Sequence, residues 1–125
     1  MEGPYYPRPM PEERDWNLLK TKEYVGFAGG IPLQLEGKIL DSSGSPILNA
    51  RIEIWQSDEK GIYNHPKDPQ TKKFDTSFQG FGSVKTNSKG YYRFLTIMPV
   101  LNEKRPPHLH VKIFRDGRES LTTQL

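Results

Sequence analysis

The fold is decided at residues 108–125, where the chain reads HLHVKIFRDGRESLTTQL. In an extended strand, alternate side chains point to opposite faces. Leu109 and Val111 therefore share one face, and their apolar character marks it as the core face. His108 and His110 point the other way. The RDGR tetrapeptide between the two strand-like runs predicts a β-hairpin.

The same alternation recurs upstream and predicts an all-β protein. It is present in LQLEGKILD (33–41) and NARIEIWQ (49–56), and the SSGSP segment between them is turn chemistry. GFGSVKT (80–86) and GYYRFLTI (90–97) flank NSKG, which predicts a second hairpin. No helical period is sustained. Several short strands separated by turn signals indicate a β-sandwich or barrel.

Residues 1–32 differ from the rest of the chain. They carry five of the eleven prolines and have no clear periodicity, so we expect an irregular arm within a single domain spanning residues 1–125. Tyr5, Tyr6 and Trp16 are costly to leave in water, and the arm should therefore pack on the domain. The sequence stops inside a strand-like run, so we expect its C-terminus to be incomplete.

Composition excludes several classes of protein. The 125 residues have no cysteine, which rules out disulfides and thiolate metal sites, and a net charge of +3. No basic stripe indicates nucleic-acid binding. No apolar stretch approaches the roughly 20 residues that span a bilayer. We expect a cytoplasmic protein that binds neither nucleic acid nor membrane.

The paired histidines indicate a metal site. Neutral imidazoles at positions i and i+2 of a strand can converge on one cation, although surface histidines follow the same pattern. A third ligand is offered by His65 or Tyr63, in GIYNHP. Three histidines would suggest zinc, whereas two histidines with a tyrosine would suggest ferric iron, because a phenolate is a hard anionic donor. Spacing alone leaves both open.

The sequence resembles the intradiol ring-cleavage dioxygenases, which are non-haem iron(III) enzymes that cut catechols between their hydroxyls. The matching stretches are GPYYP (3–7), LEGKILDSSGSPILNARIEIWQSDEKGIYNHP (35–66), FQGFGSVKTNSKGYYRFLTIMPV (78–100), RPPHLHV (105–111) and LTTQL (121–125). The part from residue 37 to 55 alone would also suit transthyretin-like and carboxypeptidase-regulatory modules. NHP and RPPHLH separate the two interpretations. The resemblance implies a β-sandwich of the intradiol dioxygenase type.

The resemblance also implies a site. Its equatorial tyrosinate falls on Tyr63, and its two histidine ligands fall on His108 and His110, around one Fe(3+) ion. Arg105 is implied to lie beside the substrate and to stabilise charge developing on the ring. Gln124 is implied to support that arginine.

The implied substrate is a small aromatic diol, which reacts with O2 to give a muconate-type product. The mouth of the site is implied to be lined by Gly3, Pro4 and Tyr5, and His65 becomes a loop residue. Both a homo-oligomer and a hetero-oligomer stay open.

One departure from the family pattern matters for the chemistry. The family reads K-P-V-x-Y-P-G-R-x-P-H-x-H, whereas this chain reads MPVLNEKRPPHLH, with Asn102 at the axial tyrosine. In the family, that tyrosine leaves the metal and accepts a catechol proton. Asparagine is not a base near neutral pH. Asn102 therefore keeps an alternative open: a non-catalytic or weakly active homologue, serving as a binding module or partner subunit.

Other tyrosines are conceivable substitutes for the missing phenol. Tyr91 and Tyr92 are nearest in sequence, but GYYRF is typical of a strand interior. Tyr5 or Tyr6 of the arm could swing in instead.

Overall fold

The computed structural model of the chain describes residues 5–7, 10–11, 14–22, 26–100 and 109–124. Their regular secondary structure is almost entirely β, which confirms the predicted class. The strands are β1 Pro32–Lys38, β2 Arg51–Trp55, β3 Phe81–Lys85, β4 Tyr91–Ile97, β5 His110–Arg115 and β6 Arg118–Gln124, and one turn of 3₁₀ helix covers Thr71–Lys73. Within these ranges, no helix is long and apolar enough to cross a membrane.

Two sheets pack face to face as a sandwich. β1 pairs antiparallel with β4, and the second sheet has the order β3-β2-β5-β6. Between the sheets lies the main apolar core, which includes Ile52, Ile54 and Phe94, all fully buried. Leu109 and Val111 belong to the same core, so the predicted core face of β5 is confirmed.

β5 and β6 form the hairpin that RDGR predicts. Arg115 pairs with Arg118, and the two residues between them, Asp116 and Gly117, have φ of 54° and 76°. Positive φ at both central positions is typical of the hairpin turn whose twist matches that of the strands.

The second predicted hairpin is wrong. NSKG does form a tight turn, in which the Gly90 amide donates to the Asn87 carbonyl at 2.9 Å. However, β3 pairs with β2 and β4 pairs with β1, so the turn connects two different sheets. Turn chemistry sets the local reversal of the chain but not which strands bond to one another.

The N-terminal arm explains why β3 and β4 do not pair with each other. The Ser83 amide of β3 donates to the Arg14 carbonyl at 2.9 Å. On β4, the Leu95 amide donates to the Trp16 carbonyl at 2.9 Å, and the Leu95 carbonyl accepts from the Leu18 amide at 2.8 Å. The arm thus occupies the bonding groups that a β3–β4 hairpin would use, and it closes this side of the sandwich.

The expected packing of the arm is confirmed where it meets the second sheet. Tyr6 is 7% exposed and Leu18 is fully buried in the core. Trp16 keeps 41% of its surface exposed and packs by one face, with the Arg93 guanidinium 5.1 Å from its ring centroid.

We predict that Gly82→Ala lowers the free energy of unfolding by about 1–3 kcal/mol, the usual cost of overpacking a core. A Cβ at Gly82 would lie 2.6 Å from Leu18 Cδ1 and 2.9 Å from the Asp15 carbonyl oxygen. The buried leucine and the backbone atom have little room to move. Urea denaturation measures the loss. Ser83→Ala, on the opposite face of β3, is the control and should change stability by less than about 0.5 kcal/mol. Wild-type stability for Gly82→Ala would contradict this account of the arm.

Candidate metal centre

The candidate site lies at one end of the four-stranded sheet, on the face that points away from the core. Strand register aligns one residue from each strand there. Trp55 pairs with Phe81 on one side and His110 on the other, and His110 in turn pairs with Gln124. Because residues paired across adjacent strands share a face, Phe81, Trp55 and His110 form a row of rings.

Tyr63 meets His110 in this row. The Tyr63 hydroxyl oxygen lies 3.1 Å from His110 Nε2, and the two ring planes are inclined by 61°. Tyr63 is 8% exposed and His110 2% exposed. A phenol and an imidazole therefore converge in a place largely closed to solvent.

Trp55 orients the imidazole. Its ring stacks on His110 with centroids 5.1 Å apart and planes within 8° of parallel. A ring held flat against an indole has little freedom to rotate, so Nε2 stays directed at the phenol. Sequence reasoning missed Trp55. Its signal was available: a large aromatic residue on the polar-facing side of an alternating strand.

Asp58 organises the start of the loop that carries Tyr63. Its side chain is fully buried, and its Oδ1 accepts the amides of Lys60 at 2.9 Å and Ile62 at 3.0 Å. Its Oδ2 accepts the Asp75 amide at 2.8 Å, from the far end of the loop. An irregular loop has no ladder of backbone hydrogen bonds like that of a strand. In this loop, the Asp58 carboxylate accepts three of the backbone amides instead.

Asp68 holds Tyr63 directly. Its Oδ2 accepts the Tyr63 amide at 2.8 Å, and its Oδ1 accepts the Gln70 amide at 2.8 Å. Sequence reasoning also missed these two aspartates. The only signal was aspartate close to glycine or proline, in DEKG and DPQ, where it often binds nearby amides.

His65 serves the loop. Its Nδ1 accepts the Lys67 amide at 3.0 Å, and its own amide donates to Thr71 Oγ1 at 3.2 Å. One ring nitrogen is therefore occupied by backbone. This arrangement agrees with a loop role for His65 rather than the three-histidine alternative.

Tyr5 reaches the site from the arm. Its ring stacks on Tyr63 with centroids 4.5 Å apart and planes 21° from parallel, and it meets the His65 ring edge-to-face with centroids 5.6 Å apart. The arm thus contacts the phenol on its face. Gly3 and Pro4, the other predicted mouth residues, lie outside the described residues.

Tyr91 and Tyr92 are not brought to this site. Both are on β4, in the other sheet, and the Tyr91 hydroxyl donates to Glu36 Oε2 at 2.7 Å. That hydrogen bond raises the pKa of Tyr91 and lowers the pKa of Glu36, and burial raises the pKa of Tyr92. A raised pKa opposes phenolate formation, which is the reverse of what a metal-binding or proton-accepting tyrosine needs.

Besides Gly3 and Pro4, three more predicted site residues lie outside the described residues: Asn102, Arg105 and His108. Gln124 ends β6 opposite His110 in the strand register. Within the described part of the chain, no group of three or more His, Cys, Asp or Glu side chains is placed to hold a metal ion. The complete ligand set of Tyr63, His108 and His110 stays a prediction.

The two described donors fit a ferric ion. Donor atoms that each lie about 2.0–2.1 Å from one cation are about 3 Å apart when they are at right angles around it. The separation of Tyr63 Oη and His110 Nε2 is 3.1 Å. A phenolate is a hard anionic donor, and imidazole suits iron among other transition metals. The pair is therefore suitable in both spacing and chemistry.

Comparison with known proteins identifies the family. A family model described as "Dioxygenase" matches residues 1–125. The chain is 35% identical over 119 residues to the protocatechuate 3,4-dioxygenase beta chain of Burkholderia cepacia, covering 89% of this chain and 51% of that protein. It is 32% identical to catechol 1,2-dioxygenase of Acinetobacter baylyi, covering 100% of this chain and 44% of that protein. The chain spans about half the length of these relatives.

Solved structures agree with this result. The dioxygenase domain of a dioxygenase carbohydrate-binding protein fusion from Streptomyces sp. SirexAA-E superposes with a TM-score of 0.76 at 30% identity, covering 100% of this chain and 70% of that one. An intradiol ring-cleavage dioxygenase from Tetranychus urticae superposes with a TM-score of 0.75 at 28% identity, covering 99% and 61%. Sequence and fold together establish that the chain belongs to the intradiol ring-cleavage dioxygenase family.

Proposed function

We propose that this chain carries out intradiol cleavage of a catechol-type ring by O2 at a non-haem iron(III) site, giving a muconate-type product. The observation that carries the proposal is the buried contact of 3.1 Å between Tyr63 Oη and His110 Nε2. These are two of the three positions that match the ligands of the family. Relatives named protocatechuate 3,4-dioxygenase and catechol 1,2-dioxygenase support a diol substrate.

In this proposal, the iron is held by Tyr63, His108 and His110. A bound ferric ion supplies Lewis-acid polarisation and a template for the two diol oxygens. Three protein ligands leave positions open, which is typical of a catalytic rather than a structural metal site.

In the proposed site, other residues of the chain orient the metal ligands and contact the substrate. Trp55 fixes the plane of His110, while Asp68 fixes the backbone of Tyr63. Tyr5 offers an aromatic wall beside the phenol. We assign Arg105 to charge stabilisation on the ring, because a guanidinium carries five donors and stays protonated.

Asn102 supports a second candidate function. A neutral amide accepts no proton from the diol at neutral pH, so the family's usual proton acceptor is missing. The alternative is a weakly active or non-catalytic homologue that acts as a binding module or beside a partner chain. One relative is named as the beta chain of protocatechuate 3,4-dioxygenase, which supports the alternative that this chain acts beside a partner chain.

Tyr63→Phe tests the iron site. A tyrosinate bound to iron(III) absorbs visible light by charge transfer, so the wild-type protein should become coloured when ferric iron is added. The variant should lose this band and keep the far-ultraviolet circular dichroism of the fold. Tyr91→Phe, which removes a phenol in the other sheet, should keep the colour. A coloured Tyr63→Phe, or zinc at full occupancy in protein grown with ample iron, would contradict the assignment.

Arg105→Ala tests the charge-stabilising role. We expect kcat to fall by about 10²–10³-fold, the usual effect of removing one donor to developing negative charge. Iron content and melting temperature should stay at wild-type values. The matched control is Arg118→Ala at an exposed position of the β5–β6 turn, which should leave kcat unchanged. Wild-type turnover in Arg105→Ala would reject the role.

Asn102→Tyr separates the two candidate functions. In the wild type, turnover should rise with pH, because hydroxide or the deprotonated diol replaces the missing base. The variant should add a second tyrosinate signal and raise turnover near pH 7 by up to about 10²–10⁴-fold, the range of general-base contributions. Asn102→Gln should do neither. If Asn102→Tyr gains the signal but no turnover, the non-catalytic function is favoured. Without the signal, our alignment of Asn102 with the second tyrosine ligand of the family is wrong.

A further inference from the structure

Tyr6 is fastened to the outer face of the four-stranded sheet from several sides. Its hydroxyl donates to Glu53 Oε1 at 2.6 Å, and the Lys112 ammonium lies 4.2 Å from its ring centroid. The ring also packs against Trp55 in an edge-to-face arrangement, with the two ring centroids 4.9 Å apart. Residues 5–7 form no regular element, and the contacts described here are made by the Tyr6 side chain.

The groups that hold Tyr6 are buried charges. Glu53 on β2 and Lys112 on β5 lie opposite each other in the strand register, and they are 3% and 5% exposed. Glu53 Oε2 lies 3.5 Å from Arg51 Nε, and Lys112 Nζ lies 3.2 Å from Glu119 Oε1. A buried ion is expensive unless its geometry is well satisfied, and loss of one partner leaves the other uncompensated. The cluster is therefore a rigid attachment point for the arm.

Tyr5 precedes Tyr6 directly and contacts the candidate metal centre. Consecutive Cα atoms are about 3.8 Å apart, so fixing Tyr6 restricts where Tyr5 can be. Tyr5 stacks on Tyr63 at 4.5 Å, and Tyr63 in turn contacts His110. A continuous set of contacts leads from the buried charges to the phenol.

We propose that Glu53 and Lys112 are positioning residues for the metal centre. Together with Tyr6 they form an arm clamp, which seats Tyr5 on the face of Tyr63 and so holds the phenol in place toward His110. The fastening of the arm stands on the geometry alone. Its consequence for the metal rests on the function proposed above.

Tyr6→Phe is the central variant, because it removes the hydroxyl that Glu53 binds and keeps the ring that covers Trp55. Its matched control is Tyr91→Phe, which removes a similar tyrosine–glutamate bond of 2.7 Å on the other sheet. These two variants and Lys112→Met are all made in a Trp16→Phe background, which leaves Trp55 as the sole tryptophan of the chain. Lys112→Met, which keeps the apolar stem without the charge, provides a second route to the same loss should one variant fail to fold.

The first measurement needs no metal. Trp55 is 1% exposed, partly because Tyr6 packs against it. In metal-free protein, we expect Tyr6→Phe and Lys112→Met to shift the Trp55 emission to the red and to raise its quenching by acrylamide. Tyr91→Phe should match the background protein. If all three match the background, the arm clamp is wrong.

The second measurement uses ferric iron. The tyrosinate-to-iron band should shift in Tyr6→Phe and in Tyr5→Leu. The double variant that combines these two changes should shift the band no further than the single variant with the larger shift. Tyr91→Phe should leave the band in place. Increased Trp55 quenching with an unmoved band would overturn the positioning role. A wild-type protein that stays colourless with iron would instead overturn the proposed function, and the quenching result alone would then decide whether the arm is clamped.

Discussion

The antiparallel register of β2 against β5 is the constraint on which the rest depends. It places Trp55 opposite His110 and Glu53 opposite Lys112 on one face of the sheet. The intervening pairs, such as Ile54 with Val111, face the core. Because side chains alternate with a period of two, a slip of one residue would turn one of the two strands over and put either Glu53 or Lys112 into the core. The core thus enforces the register that assembles the site.

Both faces of the four-stranded sheet are covered, but by different means. The inner face packs against β1 and β4, which is ordinary sandwich packing. A second apolar cluster lies on the outer face and contains Tyr6, Trp55, Tyr63 and Phe81. It is completed by the arm and by the loop after β2. The site is therefore built where irregular segments meet a rigid sheet, a common division between scaffold and function.

Buried carboxylates replace secondary structure around Tyr63. Asp58 and Asp68 together accept five amide hydrogen bonds in the loop between β2 and β3. Carboxylates that accept several N–H groups are well satisfied even when they are buried. The loop can thus present a phenol at a defined place without a strand or helix of its own.

Local rules in the sequence determined the all-β class, the β5–β6 hairpin and the orientation of His110 away from Leu109. Each depends on a few neighbouring residues, through the two-residue period or the φ angles of a turn. Tertiary structure alone decided that β3 and β4 belong to different sheets, that Trp55 stacks on His110, and that Tyr63 rather than His65 meets the imidazole. The Tyr63–His110 contact joins residues 47 positions apart. Such contacts depend on which strand edges and loops come together in the whole folded chain. The N-terminal arm, for example, forms hydrogen bonds with the edges of β3 and β4 that a hairpin between these two strands would have used.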